Sequence, residues 1–159
     1  GLEFSLRAFY HANKALYVNN YSYHYLFNPN SISKKVDEKN TKYLLDCLKV
    51  IQEDIEHFDH KDVFVQTLYR RVTYIVIAIA MSTYFHPSNK DFLWTKISKY
   101  AAVIKNNKLL KDSVYKCSTD GMDKQRKLTL FFIRKKMYFM LALVGWAKQF
   151  MLKRGKYNY

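Results

Sequence analysis

The chain has 159 residues, 49% of them apolar, and its 27 Lys and Arg against 13 Asp and Glu leave a formal charge of +14. That apolar content excludes a disordered chain, and only four Gly and two Pro exclude a turn-rich sandwich in favour of long helices. Two distant cysteines, Cys47 and Cys117, make neither a disulfide framework nor a metal pattern.

Residues 2–14 read as a helix, with Leu2, Leu6, Phe9 and Tyr10 at helical spacing. "ALYVN" (15–19) alternates like a strand, Asn19–Asn20 suits a tight turn, and "YSYHYLF" (21–27) alternates again. "NPNSIS" (28–33) is a loop. From about residue 38 the pattern is helical, with Leu44, Leu48, Ile51, Ile55 and Phe58 forming one stripe. Cys47 falls on that stripe and reads as a buried free thiol. "DHKD" (59–62) breaks the helix, and Asp59 or Asp62 is placed to cap the next one, which runs to about Phe85 before Pro87. "SNKD" (88–91) has the form of a capping box opening a helix with Leu93, Ile97, Tyr100 and Ile104 on one face. "KLLKDSVY" (108–115) is a short helix, "CSTDG" (117–121) a turn, and one long helix is expected over 123–152, with Gly155 just past its end. The apolar runs 72–85 and 137–147 fall short of the ~20 residues that cross a bilayer, and they read as buried helices. No secretory-leader pattern is seen.

The expected architecture is therefore mainly α: a bundle of four to six helices, preceded by a short helix and a two-stranded hairpin. Two domains are expected, residues 1–35 of mixed character and residues 36–159 helical. One hairpin and one helix bury too little to stand alone, so the first unit needs a sheet outside the chain or support from the helices.

Candidate sites are few. His57, Asp59, His60 and Asp62 lie close in sequence but at a helix boundary, where a polar corner explains them better than a metal. The charge favours anionic partners, and a basic helical nucleic-acid-binding or membrane-docking domain without enzymatic activity is the alternative reading; the lysines are scattered, however, and no zinc-finger, RRM or clear helix-turn-helix pattern occurs, so nucleic acid is the less expected partner. The last helix interleaves Arg134–Lys136, Lys148 and the 152–157 segment with apolar residues. It suits an anionic membrane surface, or equally a core helix with a basic outer face.

Residues 2–33, "LEFSLRAFYHANKALYVNNYSYHYLFNPNSIS", resemble the end of the catalytic domain of bacterial family-two glycosyltransferases. The features that carry the resemblance follow the family's order: Glu3–Phe4 with Arg7, Ala12–Asn13–Lys14, Tyr17–Val18, Tyr23 to Tyr25, and Ser31–Ile32–Ser33. The resemblance implies a GT-A catalytic domain that binds a nucleotide sugar and passes its sugar to a glycan or lipid-linked acceptor during surface-polysaccharide synthesis. It implies a cytoplasmic location, at the inner face of the cell membrane if the acceptor is lipid-linked. The catalytic base would be the second acid of a pair expected immediately before Leu2. The divalent Mg or Mn ion would be held by an Asp-x-Asp motif that these residues lack, so the chain itself would bind no cofactor. The chain is then expected to be a C-terminal fragment, inactive alone, with Gly1 a tag remnant. Glu3, Arg7, Tyr25 and Ser31 are the residues expected to touch substrate, with Tyr23 and Ser33 beside them. One departure stands out: Leu26 occupies the place where the family commonly carries an Arg for the diphosphate. Lys34 and Lys35 are the nearest substitutes.

Overall fold

The computed structural model describes residues 2–20 and 38–153. Among these the protein is mainly helical, as the sequence predicts. The helices are α1 (Leu2–His11), α2 (Glu38–Glu56), α3 (Lys61–Ile79), α4 (Leu93–Asn106), α5 (Lys108–Lys116), α6 (Lys124–Arg134) and α7 (Tyr138–Lys153), and α3 continues into a π-helical turn, Ala80–Tyr84.

α3 is the axis of the fold. It packs against α2, α5 and α6, while its π turn meets α4 and α7. The reason lies in its sequence: Leu68, Val72, Ile75, Val76 and Ile79 recur at helical spacing and are all buried. With its π turn, Lys61–Tyr84 is a continuous helix of 24 residues, long and apolar enough by length and composition to cross a membrane. The sequence reading of 72–85 as too short misses its polar first half. Here Leu68, Val72, Ile75, Val76 and Ile79 are buried among other helices, while Val63 near its start is exposed.

The π turn widens the helix where large rings must enter the core. Phe85 N–H donates to Ala80 O at 2.8 Å, one residue beyond the α spacing. Tyr84 and Phe85 then both meet the ring of Tyr100, at 5.6 and 5.4 Å between centroids. Tyr100 is fully buried, and its Oη donates to Val76 O at 3.1 Å. Thr73 Oγ1 likewise donates to Ser113 O at 3.1 Å, tying α3 to α5. A buried hydroxyl needs such a partner.

Several expectations are corrected. Ala15–Asn20 forms no strand, because no neighbouring strand pairs with it among the described residues, and a lone extended segment leaves its backbone unpaired. The second expected strand, 21–27, lies outside the described residues, as does Gly155. The helix α3 starts after His60, which has a left-handed φ of 56° and no capping side chain, so neither Asp59 nor Asp62 caps it. The "SNKD" box does not open α4 either. Asn89 instead ties the loop: its Nδ2 donates to Thr83 O and Tyr84 O, and its Oδ1 accepts from Asp91 N–H. Lys96 Nζ closes the loop on Asn89 O at 2.7 Å, and the helix begins only at Leu93.

The single final helix is two. Lys136 N–H donates to Ile133 O and Met137 N–H to Phe132 O, with Lys136 at φ 57°. Those two bonds with a left-handed residue between them end α6 as a Schellman motif, here with Lys where Gly is usual. The change of direction lets α7 fold back against α4, α6 and the π turn. The carbonyls at the end of α5 are met by Arg134 of α6, whose Nε donates to Val114 O and Nη2 to Cys117 O. A cation there also opposes the helix dipole. Both cysteines are free; Cys117 is buried and Cys47 half-buried.

Candidate functional site

Two of the residues singled out in the sequence, Glu3 and Arg7, lie on α1 at its junction with α2. Arg7 grips Asp54 with a two-pronged fork, Nε to Oδ2 at 2.8 Å and Nη2 to Oδ1 at 2.9 Å. Its third nitrogen, Nη1, reaches Glu3 Oε1 at 3.2 Å, one helical turn back. The hydrogen bonds that Arg7 donates to Asp54, with the charges of Asp54 and Glu3, hold its guanidinium still more firmly protonated than usual. Two carboxylates already offset its charge, so the fork orients α1 and leaves little for a phosphate.

Beyond the fork, Tyr10 stacks on Phe58 with centroids 3.7 Å apart and planes 3° from parallel. Phe64 of α3 meets both rings edge-on, 6.0 Å from Tyr10 and 5.3 Å from Phe58. Tyr10 Oη accepts the N–H of Asp59 at 3.0 Å. Beneath this corner a mostly apolar cavity of about 350 Å³ lies among Leu6, Leu48, Ile51, Ile55 and Phe64, with the exposed Arg71 also lining it. Sequence reasoning missed Asp54 and the Tyr10–Phe58–Phe64 cluster. Tyr10 and Phe58 each fall on an apolar stripe in the sequence, but Phe58 lies past the end of α2 and no local spacing links either ring, or Arg7, to its distant partner.

Tyr25, Ser31, Tyr23, Ser33 and Leu26 lie outside the described residues. At the 57–62 corner, His57 Nδ1 lies 2.8 Å from Glu53 O. Among the described residues no three His, Cys, Asp or Glu side chains converge on one point. A second polar cluster, around Tyr74, is likewise already paired: Arg126 lies over the Tyr74 ring at 4.8 Å and bonds Asp123 at 2.8 Å, and Arg70 Nε donates to Tyr74 Oη.

The other surface of note is α7. One side faces the body: Leu141 is fully buried, and Tyr138 meets Tyr100 edge-on at 5.5 Å. Gly145 lies so close to Phe85 that an added Cβ would come within 2.5 Å of the Phe85 carbonyl oxygen. The other side is apolar and uncovered, carrying Phe139, Leu143, Trp146 and Phe150. Comparison with protein-family models, curated proteins and solved structures finds no match.

Proposed function

We propose that the chain is the helical region following the catalytic sheet domain of a nucleotide-sugar-dependent glycosyltransferase, of the kind that builds surface polysaccharide. The observation that carries this reading is the ordered run of family-like residues from Leu2 to Ser33. The seating of α1 gives the run a structural role. Arg7 and Tyr10, both on α1, fix it to the α2–α3 corner, so the segment that would close the catalytic domain is joined firmly to the helices behind it.

In this reading the chain contributes position more than chemistry. An inverting transfer needs a carboxylate to take the acceptor proton as its oxygen attacks the anomeric carbon. It also needs positive charge on the departing diphosphate. The base and the metal-binding acids would come from residues preceding Leu2. Glu3 would sit beside that base, and Arg7 would hold Glu3 and α1 in register. Tyr25 would stack on the acceptor sugar, Ser31 would touch phosphate, and Lys34 or Lys35 would stand in for the basic residue that Leu26 replaces.

The test begins with the reading frame upstream of Leu2. An acidic pair directly before Leu2 and an Asp-x-Asp motif in a Rossmann-like half are expected. Protein expressed from that longer frame should release nucleoside diphosphate from a UDP-sugar or dTDP-sugar when Mn²⁺ is supplied, and the 159-residue chain should not. An upstream frame without the acidic pair overturns the proposal.

A further inference from the structure

We infer that the outward face of α7 is a docking surface for an anionic lipid bilayer. Phe139, Leu143, Trp146 and Phe150 are 47%, 55%, 64% and 43% exposed. At 3.6 residues per turn these four fall within an arc of about 60°. The inward residues Tyr138, Leu141 and Gly145 occupy the opposite side. The helix is thus apolar on both faces, while among the described residues only one face is covered. A helix apolar all round normally has cover on every side, and a contiguous exposed apolar stripe marks an interaction surface.

Charge selects the occupant. Residues 124–159 hold ten Lys and Arg and no Asp or Glu. Lys135 and Lys136 are exposed immediately before the helix, and Lys148 and Lys153 lie in its second half. A second copy of the chain would bring two strongly basic segments together, which opposes pairing. Acidic headgroups complement them instead, at about 1 kcal/mol for each basic residue near the surface. The side chains also fit an interface: Trp and Phe enter the headgroup–acyl boundary while lysine stems reach outward. The 16 residues of α7 span about 24 Å, which suits lying on the bilayer plane. α4, packed beside α7, is preceded by the exposed Phe92 and begins with the exposed Leu93 and Trp94, adding apolar surface on the neighbouring helix. This inference stands apart from the sugar-transfer reading, since it uses none of residues 2–33.

Vesicle flotation tests it. The chain should co-float with phosphatidylglycerol-rich vesicles and bind phosphatidylcholine vesicles about tenfold or more weakly. Trp94 and Trp146 are the only tryptophans. In Trp94→Phe, therefore, emission reports on Trp146 alone, and it should shift to the blue on adding anionic vesicles. Trp146→Glu combined with Phe150→Glu, with its circular dichroism unchanged, should lose about tenfold or more of the partitioning. Undiminished flotation of that double variant overturns the inference. So does an unshifted Trp146 emission in Trp94→Phe, which decides the matter even if the double variant does not fold. A wild-type dimer in solution that the double variant abolishes would assign the face to a second copy and also overturns it.

Discussion

Lys136 holds a left-handed backbone conformation at the C-terminus of α6, where its Cβ is a burden. Lys136→Gly keeps both Schellman hydrogen bonds and removes that strain, at the cost of a looser unfolded chain. A net gain of about 0.5–1 kcal/mol is expected, read as a higher urea midpoint with an unchanged slope. Tyr100 makes a different prediction. Burial raises its phenol well above the free value of 10.0, with Tyr138 and Tyr84 adding to the effect. The folded state therefore keeps its proton while the unfolded chain releases it. Stability is intact below about pH 10 and falls as pH rises beyond it. Tyr100→Phe should cost about 1 kcal/mol at pH 7 through the lost bond to Val76 O. It should also flatten the alkaline decline, and urea midpoints taken from pH 7 to 11 check both effects. If the two proteins decline in parallel, Tyr100 is not the group responsible.

Among the elements, α7 depends on the close approach of Gly145 to Phe85. Gly145→Ala places a methyl group 2.5 Å from a backbone oxygen, which neither helix can relieve by a side-chain rotation. About 1–3 kcal/mol of destabilisation is expected, against the gain in helix propensity that Ala normally brings. Thermal melts of the two proteins check the sign. Much of this layer is legible in the sequence. α2, α4 and α5 are readable because Leu48, Ile51 and Ile55, then Tyr100 and Ile104, then Leu110 and Val114 repeat at helical spacing, and all are buried. The break between α6 and α7 is not, because a Lys occupies the position where Gly would have signalled it. The "SNKD" box misleads for a related reason: Asn89 spends its amide on the carbonyls of Thr83 and Tyr84 and leaves the start of α4 to Phe92. At the candidate site Arg7 is readable as a helix-surface charge with Glu3, but its partner Asp54 is 47 residues away, and local spacing carries no trace of that.

For the molecule as a whole, the attachment of α1 is the arrangement most open to test. Asp54→Ala removes both prongs of the fork while leaving the core of α2 through α7 untouched. Trypsin should then cut faster at Arg7, while the main melting transition moves little, since a part-exposed ion pair stabilises weakly. An unchanged cleavage rate would mean that the Tyr10–Phe58 stack alone holds α1 in place. The central position of α3 has a further consequence during synthesis. Its principal companion, α5, ends at Lys116, about 40 residues after α3 does. At roughly 5–20 residues per second, a ribosome needs several seconds to make that stretch. For that interval a 24-residue helix with an apolar second half emerges without α5 to cover it, much as a membrane-bound segment would present itself to the targeting machinery. Slowing translation between codons 85 and 116 would lengthen the exposure, and chaperone occupancy on the nascent chain should rise with it.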